Sequence, residues 1–144
     1  MKLESTIEIH RPADEVFAVM SDFSRNPEWQ RGMKSARWTS EPPTRVGSTY
    51  QQVARFLGRE VVTALEVVAY EPGRSVSIES RESSFPISVT RSVEPLGPDR
   101  SRVSAHIVGE PRRFFRLIGP LLRLLAERSV RADYARLRQL LEGR

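Results

Sequence analysis

Three polar residues occupy positions where the local pattern calls for apolar ones. Gln52 stands between Tyr50 and Ala54, Arg91 between Val89 and Val93, and Asp133 close to Val130 and Leu137. In each case the neighbours two residues away on a strand, or three to four away on a helix, share the same face. A charge on such a face needs a partner, because burying it alone is expensive. Arg91 and Asp133 could satisfy each other, or Arg91 could reach solvent at the end of its strand. Alternatively, Arg91 anchors a ligand carboxylate or phenolate and Gln52 orients it. In the same phase run Trp29, Trp38, Tyr50, Phe56, Phe85, Ile87, Val89, Val103, Ile107, Phe115 and Leu122. An apolar lining with few polar groups describes a small-molecule pocket. The same residues could equally fill a solid core.

Other chemistries are excluded or left without support. The chain has no cysteine, which removes disulfides, thiolate catalysis, zinc fingers and iron–sulfur clusters. Its two histidines, His10 and His106, both fall on the outward phase of their segments, so neither is placed to act as an acid or base in a pocket, and no metal site is expected. Ser80, Ser88 and Thr63 have no base in view, and no phosphate-binding, dinucleotide-binding or zinc-protease motif occurs. No cofactor is implied.

The 144 residues suit one domain spanning 1–144, large enough for a core or for a core with a hollow in it. The net charge of +5 is unevenly placed: residues 1–100 carry 13 basic and 14 acidic side chains, residues 101–144 carry 10 and 4. All basic residues but Lys2 and Lys34 are arginine. In residues 112–123 arginines interleave with Phe114, Phe115, Leu117, Leu121 and Leu122, as in helices that lie on anionic membranes; solvated arginines above an inward apolar face would read the same way. The aromatics are not spaced as a stacking platform and no recognised module appears, so no nucleic-acid partner is expected. The start of the chain is polar, and the stretch 114–126 is broken by Arg116 and Arg123, which makes a soluble cytoplasmic protein the expectation.

These side chains must be positioned by a definite order of elements. Leu3, Ile7 and Ile9 alternate with polar residues, a half-buried strand. Arg11 to Glu15 opens a helix with Pro12 in its first turn and two acids at its positive end. Asp22 or Ser24 caps a second short helix with Pro27 inside it or at its end. Extended segments follow at 33–39, 47–57, 61–70, from Val76 through Ser80, 85–94 and 102–108. Turns are expected at Gly58-Arg59, at Glu71-Pro72-Gly73 and over the loop 95–99. Helical periodicity runs from Pro111 to Glu142 with a break at Gly119-Pro120, since an unbroken helix over 112–142 would be about 46 Å long. Leu122, Ala126, Val130, Leu137 and Leu140 share one stripe. Sequential hairpins and one long helix predict an α+β domain whose curved antiparallel sheet wraps that helix, with two short helices after the first strand.

This order, with its local phrases, resembles the START-like helix-grip (Bet v 1-like) superfamily and, within it, the polyketide cyclase/dehydrase-like (SRPBCC) proteins. The phrases are Ile9 to Phe17, Asp22 to Trp29 with Asn26 and Pro27 between, Val67 to Arg74, Val93-Glu94-Pro95, Val108 to Pro111, and Asp133 to Leu137 running on to Leu141-Glu142. The resemblance covers nearly the whole chain and rests on the order and spacing of phrases that are individually weak. It implies a deep apolar cavity between sheet and helix for lipids, sterols, polyketides or hormones, and members that bind as well as members that catalyse. The reading that follows is binding of a small hydrophobic ligand, with one anionic group, against Trp29, Trp38, Tyr50, Gln52, Phe56, Arg91, Phe115, Leu122 and Asp133. The first alternative is a cofactor-independent polyketide cyclase, aromatase or dehydratase. Lacking an inward histidine, it would lean on Tyr50, Arg91 or Asp133. The second is a lipid or quinone carrier that docks on membranes through residues 112–123.

Overall fold

The structure is a computed structural model that describes residues 2–56, 58–81, 86–109 and 119–143, apart from the side chains of Phe56, Pro120 and Leu122. The elements run β1 (Lys2–Ile9), α1 (Ala13–Met20), a 3-10 helix (Phe23–Glu28), β2 (Met33–Trp38), β3 (Thr49–Phe56), β4 (Arg59–Glu71), β5 (Ser75–Arg81), β6 (Ile87–Gly97), β7 (Arg100–Gly109) and α2 (Gly119–Glu142). All seven strands join one antiparallel sheet in the order β1-β7-β6-β5-β4-β3-β2. From β2 to β7 each strand pairs with the one before it, the meander that short turns between alternating segments impose. Only β1 is brought in from afar, laid antiparallel along β7 with Leu3 opposite Ile107 and Ile7 opposite Val103.

Strand phase is obeyed along the buried stretch of each strand and shifts in β4 after Val67, where Tyr70 turns inward. Thr63, Leu65 and Val67 on β4, Val76 and Ile78 on β5, Val89, Arg91 and Val93 on β6, and Val103 and Ala105 on β7 are all buried on the concave face. The sheet curls, helped by a register shift between Val67 and Ala69 in β4; an extra residue on one strand increases local twist. Two apolar clusters fill the concavity. One joins Ile9, Val16, Phe17, Met20 and Trp29 to Tyr134, Leu137 and Leu141 of α2. The other gathers Phe23, Tyr50, Leu65, Val67, Val76, Ile78 and Val89. Helix α2 lies mainly along β1. Its C-terminal carbonyls are held by Arg11, whose Nε donates to Leu141 O at 2.9 Å and whose Nη2 donates to Glu142 O at 3.4 Å. A cation at that end also opposes the helix dipole.

Two turns differ from the sequence expectation. Phe56 pairs with Arg59, so the hairpin turn sits one residue earlier than Gly58-Arg59, with Gly58 at φ +77° and Leu57 outside the described residues. The turn after β4 falls as expected, with Arg74 N donating to Glu71 O at 2.9 Å and Gly73 at φ +78°, a conformation most side chains avoid. The expected loop 95–99 is instead mostly strand: β6 continues through Pro95 and Leu96, and the register shifts between Pro95 and Gly97. Proline is tolerated in a strand at such a bulge, because the bulge removes the hydrogen bond its nitrogen cannot make. The described part of the C-terminal helix begins at Gly119, and the expected helical piece before it lies outside the described residues.

Candidate functional site

The site is built around Arg91, carried on the concave face of β6 and only 3% exposed. Its Nη1 donates to Met20 O at the end of α1 and to Asn26 Oδ1 in the 3-10 helix, both at 2.9 Å. Burial pushes the Tyr134 hydroxyl of α2 up, and the Arg91 charge opposes that rise. The guanidinium carbon lies 4.4 Å from the centre of the Phe23 ring and 4.7 Å from that of Trp29. One side chain thus ties β6, α1 and the 3-10 helix together and, lying on Phe23 and Trp29, bridges the two apolar clusters. Among the described residues no carboxylate comes within ion-pair distance of Arg91. Neutral oxygens and ring faces solvate the charge without cancelling it. Its Nε is buried with no hydrogen-bond partner among the described residues.

The 3-10 helix owes its place to Asp22. Its Oδ1 accepts from Ser24 N at 3.2 Å, capping the helix, and from Trp38 Nε1 at 2.9 Å, fastening it to β2. The first helical residue, Phe23, is thereby pressed onto the sheet. It stacks on Tyr50 with ring centres 5.0 Å apart and planes at 19°, while Trp38 meets Tyr50 edge-on at 5.5 Å. These three rings form an aromatic floor beside Arg91. The Tyr50 hydroxyl and the Trp29 indole N–H are buried and, among the described residues, have no partner. Burial holds the Tyr50 hydroxyl protonated far above the ordinary tyrosine range, against a smaller downward pull from Arg91. It is therefore a standing donor at neutral pH.

Asp133 is buried on the inner side of α2, but its ion pair is with Arg136 one turn on, not with Arg91. Its Oδ1 also accepts from Arg31 N at 3.3 Å, and Arg136 Nε donates to Trp29 O at 3.1 Å. The Asp133–Arg136 pair therefore clamps the Trp29–Arg31 backbone to the helix. Burial pushes the Asp133 carboxyl up, and the Arg31 N–H, Arg136 and the more distant Arg91 oppose that rise.

Of the residues singled out from sequence, Trp38, Tyr50 and Arg91 meet around Phe23, Trp29 lies against Arg91, and Asp133 joins them through Arg31 N and through Arg136, which holds Trp29 O. Gln52 lies one step along β3 on the same face as Tyr50, half-buried and opposite Thr63. With Ala54, Ile87 and Ile107 it belongs to a half-buried rim of the concave face. Phe115 lies outside the described residues, as do the side chains of Phe56 and Leu122. His10 and His106 are exposed, the latter 3.2 Å from Glu4 on the outer face of the sheet. Sequence reasoning passed over Phe23, Asn26 and Tyr134. All three had a signal, because each sits inside one of the phrases that carried the family resemblance, Phe23 and Asn26 between Asp22 and Trp29 and Tyr134 after Asp133.

The family model for polyketide cyclase / dehydrase and lipid transport matches residues 1–142. No curated protein matches the sequence. Among solved structures, one from Thermus thermophilus superposes with a TM-score of 0.82 at 17% identity, covering 96% of this chain and 95% of the other. The aromatase/cyclase Zhui from Streptomyces sp. R1128 gives 0.81 at 15%, over 99% and 93%. A START superfamily protein from Mycobacterium smegmatis gives 0.72 at 20%, over 96% and 98%. At these identities the superpositions speak for the fold alone. With the family model spanning nearly every residue and the sheet curled around its C-terminal helix, this chain belongs to the polyketide cyclase/dehydrase and lipid-transport family and has its START-like helix-grip fold.

Proposed function

We propose that the protein binds a small hydrophobic ligand bearing one anionic or acceptor group, seated on the aromatic floor of the concave face. The observation that carries this reading is that two of the three buried donors without partners among the described residues, Tyr50 Oη and Arg91 Nε, lie beside a guanidinium with no counter-charge among them. Buried donors are normally satisfied, and a ligand oxygen would satisfy these. The half-buried Gln52, Ala54, Ile87 and Ile107 leave a rim on the same face for the apolar body. Family membership and the likeness to an aromatase/cyclase support a hydrophobic substrate class.

The reading is binding without turnover, by a cytoplasmic protein that needs no metal or cofactor. A reaction would need a base beside the bound group. Both histidines are exposed, and the Asp133 carboxylate is occupied by Arg136 and the Arg31 N–H.

Two measurements test it. Native mass spectrometry of freshly purified protein should show a retained small molecule. Calorimetric titration should find 2-naphthoate bound more tightly than naphthalene, and Tyr50→Phe should narrow that difference by about threefold to tenfold. The variant removes only a hydroxyl that makes no bond among the described residues, so its melting temperature should hold. No retained molecule, together with equal affinities for the two probes, would overturn the proposal.

A further inference from the structure

Helix α2 has a second apolar face, which is exposed. Its inner side, with Ala126, Val130, Asp133, Tyr134, Leu137 and Leu141, packs toward the sheet. On the opposite side Leu121, Leu124 and Leu125 are 58%, 45% and 48% exposed. Spaced i, i+3 and i+4, they form one contiguous patch. Clustered exposed leucines on a surface helix mark an interaction site, whereas scattered ones would not.

What surrounds the patch narrows the choice of partner. Arg128 follows one turn further along the same face and Arg131 flanks it; both are exposed, and neither makes an ion pair among the described residues. From Gly119 to Ala132 the single acidic residue is Glu127, already engaged by Arg123 Nε at 3.1 Å. The leucines stand out from the convex surface of a helix, with exposed cations beside them that have no ion pair among the described residues. That combination suits a surface that needs no shape complementarity, is apolar a few ångströms down and is negative on top. No helix among the described residues is long and apolar enough to cross a membrane, so the contact is one of lying on it.

We propose that the outer face of α2, through Leu121, Leu124 and Leu125 with Arg128 and Arg131, docks on an anionic lipid bilayer. The leucines enter the interface between headgroups and chains, and the two guanidiniums stay among the phosphates. Docking asks nothing of Arg91, Tyr50 or the aromatic floor, so it stands or falls separately from ligand binding.

Co-sedimentation with vesicles of phosphatidylcholine containing phosphatidylglycerol tests it. At low salt the protein should pellet with these vesicles and stay in solution with phosphatidylcholine alone. The double variant Arg128→Glu/Arg131→Glu should lower partitioning by about tenfold or more. Leu124→Gln/Leu125→Gln should lower it to a similar degree. Both variants alter only exposed side chains, so melting temperature and 2-naphthoate affinity should match those of the unaltered protein, which separates lost docking from lost folding. Three results would overturn the proposal: no pelleting with the anionic vesicles, pelleting that neither variant changes, or a concentration-dependent rise in mass abolished by the leucine variant. The last would assign the patch to a second copy of the chain.

Discussion

Asn26 accepts a hydrogen bond from a buried cation, and nothing else described can replace its side-chain oxygen there. Asn26→Ala should therefore cost about 2 kcal/mol, the scale for a hydrogen bond to a charged group, in urea unfolding. A loss under about 0.5 kcal/mol would mean that water takes its place. Arg91→Lys should cost about 3 kcal/mol by the same measurement, because an ammonium cannot lie flat between Phe23 and Trp29 while reaching Met20 O and Asn26. Asp133 adds a pH dependence. Its folded carboxyl is raised above the ordinary 3.8 despite Arg136, the Arg31 N–H and Arg91. Between those two values the folded protein holds more proton than the unfolded chain, so this contribution to stability is greatest in acid and is lost as pH rises through the raised value. Asp133→Asn keeps an acceptor for Arg31 and removes the titration. Its stability relative to the unaltered protein should rise as pH is taken from acid to neutral, and denaturant unfolding across that range should show it. The opposite slope would mean that the pairs with Arg136 and Arg31 outweigh burial.

The 3-10 helix and the end of α2 show how short elements set the site. The Asp22 cap and Pro27 made a short helix legible in the sequence, because capping and proline act locally. What Asp22 does further, holding the Trp38 indole, depends on β2 folding back beside it. Asp22→Ala should thus cost more than a bare cap: the usual ~1 kcal/mol plus the loss of the indole bond. A companion change, Trp38→Phe, should make part of that loss non-additive in a double-mutant cycle. At the other end, Arg11→Ala should destabilise the protein by about 1 kcal/mol. It should also speed amide exchange in the last turn of α2, where two carbonyls lose their donor. The strand extension through Pro95 was not legible, because a proline between turn formers reads as a loop unless a bulge absorbs it.

Over the whole molecule, period-two alternation and regular turns decided in advance that six strands would follow one another in a meander and that one long helix would cover a single face. The same alternation put Arg91 and Tyr50 inside and the two histidines outside, since a strand's phase settles each side chain's face. It could not decide between partners. Arg91 and Asp133 looked like a pair from spacing and burial alone, yet the curl of the sheet carries Arg91 to Met20 and Asn26 while Asp133 turns to Arg136. Nor could alternation show that Phe23, Tyr50 and Trp38 share one floor, because that contact spans three elements and exists once the sheet is curved. The second apolar face of α2 was hidden for a related reason. The stripe through Ala126, Val130 and Leu137 gave the inner side, but leucines off that stripe do not say whether anything covers them, and the docking along β1 leaves Leu121, Leu124 and Leu125 facing out. Face and order are local properties of a chain; the choice of partner is a property of its packing.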